Sequence, residues 1–159
     1  MPNKTKPLHE LVSQNQYLRV SPNDLIRNVA CQMPEHHTSA AVVLDEKEKL
    51  IGIVTEQDIV EKAVGARRNV DETTVDKIMT SDPVTISIDA PFTEALLLMT
   101  ENSFRTLPVM DGDHVAGIVD IRDLYDALSK LLKEEINLRD GLISYAWGDG
   151  YGAVYSKAS

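Results

Sequence analysis

The chain has 159 residues, of which 43% are hydrophobic and 5% aromatic, with a formal net charge of −9 and a single cysteine. This length supports one good hydrophobic core or two small cores packed together. The acidic balance argues against a nucleic-acid or anionic-membrane surface, since both require a basic face, and one cysteine excludes an intrachain disulfide and favours a reducing compartment.

The start of the chain carries no targeting signal that we can identify. Residues 1–7 lack the apolar stretch of a signal peptide. Apolar runs such as 95–99 are far shorter than the roughly 20 residues of a membrane-spanning helix. We therefore expect a cytoplasmic protein with no membrane and no nucleic-acid partner.

A short strand and an amphipathic helix open the first half. Residues 17–20 predict the strand, and Ser21–Asp24 predicts a turn that supplies the N-cap of the helix. Leu25, Val29 and Met33 recur at four-residue spacing, which places them on the inward face of that helix.

A hairpin and a second helix follow. The continuous apolar run 40–44 predicts a strand covered on both faces, joined through the polar turn 45–49 to a strand at 50–54. Thr55 predicts the N-cap of a helix with acidic residues in its first turn. We expect the inward face of this helix to contain Ile59, Val60 and Ala63.

The second half repeats the first. The segment 52–59 recurs as 117–124, 65 positions later, whereas Met33 and Met99 lie 66 positions apart. The one-residue difference therefore falls in the hairpin turn, where changes of length are tolerated. Each copy of such a repeat is one structural unit that buries its apolar face against the other.

The elements of the second half follow the same order. We predict a strand at 84–86, a helix with Phe92, Ala95 and Met99 inward, a hairpin of 107–110 and 115–119, and a helix that begins near Asp120. Pro108 fits an edge or a bulge of its strand. The predicted organisation is a first repeat at 8–65, a linker at 66–76, a second repeat at 77–132, and a C-terminal helix extension with a flexible tail at 133–159.

An apolar stripe continues beyond the second repeat. Apolar residues recur there at alternating three- and four-residue spacing, except that Glu135 stands where an apolar residue is expected. The apolar residues are Ile121, Leu124, Leu128, Leu131, Leu138, Leu142 and Tyr145. The spacing favours a coiled-coil-like helix that contributes to self-association. The alternative is a helix that packs on its own domain and ends near Asp140–Gly141. We expect the Gly-rich tail 147–152 to be flexible or ordered only against a partner.

At this point the chain resembles a known family, the tandem cystathionine-β-synthase-type (CBS) domain pair or Bateman module. The resemblance rests on residues 77–80, the strand 107–109 and both Gly-x-x-x-x-x-Asp segments, and it covers roughly residues 8–132. It implies an α/β (α+β) fold in which two β-α-β-β-α units pack about a pseudo-twofold axis, with an extended C-terminal helix. It also implies clefts for adenosine-containing ligands (AMP, ADP, ATP, NAD or S-adenosylmethionine) and a regulatory role.

The first cleft is expected at the end of the second predicted strand of the hairpin. An ionised Asp58 suits both ribose hydroxyls, and Thr55 leaves a hydroxyl and backbone N–H groups near a phosphate. The strands around Val20 and Ile53 would supply an apolar slot for adenine. By resemblance, the phosphate partner comes from the other repeat, where Arg105 offers a planar fork of donors. The simpler alternative is an ordinary cap, a helix-start acid and a solvated arginine.

The second cleft departs from this pattern. Its N-cap position holds Asp120, with Asp123 three residues on, and the position that matches Arg105 is Ser39. Like charges disfavour an anion there, although Arg122 either offsets part of this charge or points to solvent. We predict weak binding of phosphate-bearing ligands, or binding of a nucleoside without phosphate. The predicted nucleotide-binding residues also include Thr38, Ile86 and Ile118.

Other candidates have simpler interpretations. Cys31 matches Leu97 in the second copy, which predicts a small buried hydrophobe. His36 and His37 lack a Cys partner and helical ligand spacing, which favours a polar loop over a metal site.

The function predicted from the sequence is a regulatory adenine-nucleotide sensor, a homodimer through the CBS helices and the C-terminal helix, that modulates an unknown partner. The alternatives are a ligand-free oligomerisation scaffold and an S-adenosylmethionine binder. An enzyme is disfavoured because the sequence offers no nucleophile with an oriented base, no metal constellation and no P-loop.

Overall fold

The computed structural model describes residues 6–12 and 17–147, with side chains described as far as residue 142. The predicted flexible tail from Gly148 onward and the Tyr145 side chain lie outside this description. In chain order the elements are α1 (His9–Val12), β1 (Leu18–Val20), α2 (Ile26–Glu35), β2 (Ala40–Leu44), β3 (Leu50–Thr55), α3 (Glu56–Asp58) continuing into a π-helical turn (Ile59–Val64), a 3₁₀ turn (Val75–Lys77), β4 (Thr80–Ser81), β5 (Ile86–Ser87), α4 (Phe92–Asn102), β6 (Thr106–Asp111), β7 (His114–Asp120) and α5 (Ile121–Trp147).

Each repeat forms one small sheet. The first has the order β1-β2-β3-β4, in which the edge strand β4 comes from the start of the second repeat, and the second has the order β5-β6-β7. In both, a short parallel strand joins an antiparallel hairpin. The hairpin registers are equivalent, since Val42 faces Ile53 and Pro108 faces Ile118, and both hairpins shift register at the same point of the repeat. The α+β repeat architecture predicted from the sequence is therefore confirmed.

The predicted inward faces of α2 and α4 are confirmed. Val29 and Met33 are buried on α2, and Phe92, Ala95 and Met99 are buried on α4. The strand Ala40–Leu44 is buried along its first four residues, as a strand covered on both faces should be.

The two repeats meet through a small cluster of β-strand side chains. Ala40, Val42 and Ile53 of the first sheet pack together with Ile118 of the second. The Tyr17 hydroxyl donates a 2.8 Å hydrogen bond to the carbonyl of Val115 beside this cluster. A shared apolar contact of this kind favours cooperative folding of the two repeats.

Each repeat is also covered by the segment that precedes the other one. Leu8 in the N-terminal segment is fully buried, and its N–H donates to the Ala90 carbonyl of the second repeat at 2.9 Å. Val75 is likewise fully buried, and its N–H donates to the Asp24 carbonyl of the first repeat at 2.9 Å. Ile78 packs with Val75 in the hydrophobic core of the first repeat.

Several local expectations were wrong. The helix α2 starts one residue later than predicted, with Leu25 at its N-cap and no side-chain cap, because Asp24 instead accepts a hydrogen bond from the Ser21 N–H. The strand predicted at 84–86 is observed at Ile86–Ser87.

Two burial predictions also fail. Val60 is 61% exposed, since residues 59–64 form a π-helical turn and not the α-helix whose spacing predicted an inward Val60. Cys31 is exposed, and Leu97 at the equivalent position is exposed as well. The comparison of the two copies therefore identified an equivalent position correctly but assigned it to the core without justification.

Pro108 lies in β6, which pairs with a strand on either side. The pairing with β5 begins only at Val109, so the Pro108 position carries a ladder on one side alone. The absent N–H of proline is tolerated there for the same reason as at a sheet edge.

The chain divides after Leu124 into two compact units. The second unit contains most of α5, which continues through Gly141 to Trp147, so the alternative of a helix that ends near Asp140–Gly141 is wrong. Apolar side chains along it are exposed, namely Leu132, Ile136, Leu138 and Leu142. Across the described residues, none of the helices is both long and apolar enough to span a bilayer.

Candidate functional site

A cleft of about 660 Å³ lies between the two repeats. The first repeat contributes Ile53, Thr55 and Asp58 from the end of β3 and the start of α3. The second contributes Arg105, just before β6, and Asp120 at the end of β7. The structure thus brings Thr55 and Asp58 together with Arg105, which lies 50 positions after Thr55 in the sequence.

The Thr55–Asp58 pair forms a capping box at this cleft. The Thr55 N–H and hydroxyl each donate to Asp58 Oδ2 at 3.0 Å, and the Asp58 N–H donates to Thr55 Oγ1 at 3.1 Å. This arrangement fixes the carboxylate against the helix start, where an anion is favoured. Asp58 is only 9% exposed, so its hydrogen bonds are sheltered from competing water.

The second oxygen of Asp58 has a cationic partner that the sequence reasoning missed. Lys62 places its Nζ 2.7 Å from Asp58 Oδ1 and also lines the cleft. The signal was available in the sequence, because side chains four residues apart in a helix are neighbours.

Arg105 is exposed and faces the cleft. Its carbonyl accepts a 2.8 Å hydrogen bond from the Ile121 N–H, which ties the start of β6 to the start of α5. Among the described residues, no carboxylate lies within ion-pair distance of its guanidinium. The group is therefore available to an anion that enters the cleft.

A second cleft of about 590 Å³ adjoins the first. It contains predicted residues from both repeats together with residues that were not predicted to bind a ligand, and its lining is Tyr17, His36, His37, Thr38, Ser39, Thr106, Ile118, Asp120, Arg122 and Asp123. No group of three or more His, Cys, Asp or Glu placed to hold a metal occurs in the part of the chain that the structure describes.

The second cleft is built around Asp120. Its carboxylate accepts from the Arg122 N–H at 2.8 Å and from Ser39 Oγ at 3.4 Å, and its own N–H donates to Asp123 Oδ2 at 3.4 Å. The Arg122 Nε lies 3.3 Å from Asp120 Oδ1, with 81% of the Arg122 side chain exposed. Arg122 therefore does both things considered from the sequence: it pairs with Asp120 and extends into solvent.

Two predicted residues are placed elsewhere. Val20 is 5% exposed and packs in the core of the first repeat, and Ile86 is 6% exposed. Neither lines either of the two clefts described above. The predicted Ile53 does line the first cleft, together with apolar residues that were not predicted as ligand contacts, among them Val84, Phe104 and Ile121. Val84 and Phe104 lie in short loops, whose path the periodicity of the sequence does not specify, and Ile121 is the first residue of α5.

The CBS domain family model matches residues 10–65 and 75–130. An uncharacterized 17.7 kDa protein of Acidianus ambivalens is 41% identical over 110 residues, which is 69% of this chain and 65% of that protein. A CBS domain-containing protein of Arabidopsis thaliana is 43% identical over 106 residues, 65% of this chain and 19% of that protein. The matched region thus spans less than two thirds of each of these relatives.

Solved structures share the fold. A protein with CBS domains from Burkholderia ambifaria superimposes with a TM-score of 0.73 at 29% identity, over 77% of this chain and 93% of that one. A CBS domain pair in complex with 5′-methylthioadenosine and S-adenosyl-L-methionine has a TM-score of 0.67 at 24% identity, over 82% of this chain and 98% of that one. The chain therefore belongs to the CBS-domain family, of which it carries two domains in tandem.

Proposed function

We propose that the protein is a regulatory module that binds an adenine nucleotide (AMP, ADP, ATP or NAD) in the first cleft and modulates a partner protein. The observation that carries this proposal is that Thr55, Asp58 and Arg105, drawn from both repeats, line one cleft of about 660 Å³. CBS domain pairs generally bind adenosine-containing ligands, and the family membership of this chain supports the same ligand class.

The proposed roles follow from the chemistry of the three side chains. Asp58 accepts hydrogen bonds from the ribose hydroxyls, each charge-assisted bond contributing about 1.5–3 kcal/mol. Arg105 binds phosphate through its fork of N–H donors. Thr55 holds the Asp58 carboxylate in place, and Ile53 and Val84 offer apolar surface to the adenine ring.

The regulatory step would depend on the position of the cleft between the repeats. A nucleotide held by Asp58 on one side and Arg105 on the other stabilises the arrangement of repeats that presents both groups. It shifts the conformational equilibrium only by its differential affinity for the two arrangements. We propose no catalytic activity for the module itself.

The second cleft is proposed to bind phosphate-bearing ligands more weakly than the first. Asp120 and Asp123 both line it, and the position equivalent to Arg105 is the uncharged Ser39. S-adenosylmethionine is the alternative ligand there, because a sulfonium cation suits a cleft lined by two carboxylates.

A second candidate function, a ligand-free oligomerisation scaffold, is favoured by the exposed apolar side chains of α5. Leu132, Ile136, Leu138 and Leu142 are each at least half exposed. A homodimer through this helix and the CBS helices would cover such surface. Self-association and nucleotide binding are compatible, and the scaffold hypothesis differs only in leaving the clefts without ligand.

Native mass spectrometry and calorimetry on the full chain test the proposal. We expect a retained or titratable adenine nucleotide, with one tighter and one weaker site per chain for AMP. Absence of binding by AMP, ATP, NAD and S-adenosylmethionine would leave the scaffold as the function. Two equal, tight sites for AMP would contradict the proposed difference between the clefts.

A further inference from the structure

The hydrogen bonding of Asp58 leaves too few acceptor positions for a ribose. A carboxylate offers about four lone-pair directions. The Thr55 N–H and hydroxyl occupy two on Oδ2, and the Lys62 ammonium occupies one on Oδ1 at 2.7 Å. Two ribose hydroxyls would raise the demand to five. One present donor must therefore leave when both hydroxyls bind.

Lys62 is the donor that can leave. The two bonds from Thr55 belong to the capping box that starts the helix, so breaking them would disturb the backbone. The Lys62 side chain is 45% exposed, and its ammonium sits on a flexible four-carbon stem. Within the part of the chain that the structure describes, its one other hydrogen bond is to the Ile78 carbonyl at 3.3 Å. Its ammonium can move within the cleft without any change in the fold.

The second cleft lacks counterparts of two cations that line the first, Lys62 and Arg105, whereas Arg122 lines both clefts. The position equivalent to Lys62, 65 residues on, is Ala127, and the position equivalent to Arg105 is Ser39. Lys62 and Arg105 both line the first cleft. Glu56, Glu61 and Asp120 line it too. The two glutamates are exposed, so water and salt screen their repulsion of an anion, and the Asp120 carboxylate is paired with Arg122 Nε at 3.3 Å.

We propose that Lys62 is an exchangeable cation that determines ligand specificity in the first cleft. With the cleft empty it neutralises Asp58. When ribose hydroxyls take its place on the carboxylate, the ammonium transfers to the 5′-phosphate of the ligand and pairs with it alongside Arg105. This inference rests on the proposed nucleotide binding and narrows the class of ligand. The movement of Lys62 to the phosphate favours the binding of an anionic nucleotide over that of uncharged adenosine or a sulfonium.

The test compares AMP with adenosine on the full chain, using Lys62→Gln and, as a matched control, Lys130→Gln at an exposed lysine outside both clefts. Titration calorimetry at fixed ionic strength gives both affinities. We expect Lys62→Gln to weaken AMP about tenfold and to leave adenosine unchanged or slightly tighter, since Asp58 loses a competitor. Lys130→Gln should change neither.

The possible outcomes separate this inference from the proposed function. If wild-type protein binds AMP and Lys62→Gln keeps the wild-type ratio of AMP to adenosine affinity, the exchange is wrong while nucleotide binding stands. An unchanged ratio with an equal loss of affinity for both ligands would show that Lys62 only positions Asp58. If wild-type protein binds neither ligand, both proposals fall.

Discussion

At the scale of single residues, the repeated glycine is explained by packing. A Cβ built on Gly117 would lie 2.3 Å from Val12 Cγ1, and one built on Gly52 would lie 2.6 Å from Met79 Sδ. Val12 and Met79 belong to the segments that cross over to the opposite repeat. The glycine of each Gly-x-x-x-x-x-Asp segment thus makes room for a covering side chain, while the aspartate three residues into the helix lines a cleft.

This contact predicts unequal costs for alanine at the two glycines. Gly117→Ala should destabilise more, because the β-branched Val12 cannot turn aside without moving its backbone. A Cβ at Gly52 meets the flexible Met79 side chain, but it also lies 3.1 Å from the Thr80 carbonyl oxygen, so Gly52→Ala should cost less than Gly117→Ala without being neutral. We expect a loss of about 1–3 kcal/mol for Gly117→Ala in urea unfolding followed by circular dichroism.

The matched control is Gly141→Ala. A Cβ there meets nothing within 4 Å, and the site lies inside α5, where alanine is the better helix former. It should leave stability unchanged or improve it. Equal losses at Gly117 and Gly141 would mean that the close approach of Val12 is not what requires glycine.

The two helix-start aspartates allow a second matched comparison. Asp58→Asn should weaken AMP binding about tenfold, because a neutral amide is a poorer acceptor for ribose hydroxyls than a carboxylate. Asp123→Asn, at the equivalent position of the second copy, should weaken the tighter site less than threefold. Calorimetry on both variants decides the assignment, and similar losses would show that the tighter site is not the first cleft.

At the scale of elements, the linker between the repeats is held to α2 by backbone hydrogen bonds and by an ion pair. The Ile26 N–H donates to the Thr73 carbonyl at 3.0 Å and the Arg27 N–H donates to the Val70 carbonyl at 3.1 Å. Arg27 donates from Nε to Asp71 Oδ1 at 2.5 Å and from Nη2 to Oδ2 at 2.9 Å. The hydrogen bond from Arg27 lowers the pKa of the Asp71 carboxyl below its ordinary value of 3.8. A hydrogen bond from the Thr74 hydroxyl lowers the pKa of Asp76 in the same segment.

These shifts predict a sign for the pH dependence of stability. A carboxyl whose folded pKa is lowered contributes stability that is present above 3.8 and is lost as pH falls through the folded value. Asp71→Asn should therefore flatten part of the loss of stability below pH 4, by a small amount because the pair is exposed. Thermal unfolding between pH 2 and 6, with Asp113→Asn in the exposed hairpin turn as control, measures it. An unchanged acid profile in Asp71→Asn would show that the linker is not held by this pair.

The elements also show where sequence patterns stop being informative. Alternation and four-residue spacing located the strands and the buried faces of α2 and α4, because those elements have regular geometry. They failed at Val60, where the Gly65 N–H bonds the Val60 carbonyl at 2.7 Å and the π-helical turn changes the angular spacing. They also failed at Cys31, since repeat symmetry shows that two positions are equivalent but not that either is buried.

At the scale of the whole molecule, the repeat predicted the fold and much of the first cleft. Equal offsets in the two copies placed Thr55 and Asp58 at a helix start, and family resemblance added Arg105. The spacing of Lys62 from Asp58 indicated that the two side chains are neighbours, but its importance depends on the crowding of one carboxylate, which the spacing does not show. The sequence also did not predict that each repeat is covered by the segment that precedes the other one. Leu8 and Val75, which belong to these segments, lie outside the periodic elements, so no sequence pattern indicates which residues they contact.

The packing of the N-terminal segment on the second repeat predicts that a substitution near the start of the chain affects strands about 100 residues later. Leu8 is fully buried, and α1 packs against β7 of the second repeat, although it precedes the first strand. Leu8→Ala should cost about 2–5 kcal/mol and reduce amide protection in β6 and β7. Because the cluster of Ala40, Val42, Ile53 and Ile118 couples the sheets, urea unfolding should remain a single transition.

His9→Ala is the control, since His9 is exposed on the same helix turn and should leave stability within about 0.5 kcal/mol of wild type. Hydrogen exchange read by mass spectrometry separates the two repeats directly. Loss of protection in β2 and β3 alone would place the N-terminal segment on its own repeat. Two separate unfolding transitions would show that the repeats are independent, and a ligand that bridges them would then have no cooperative structure through which to act.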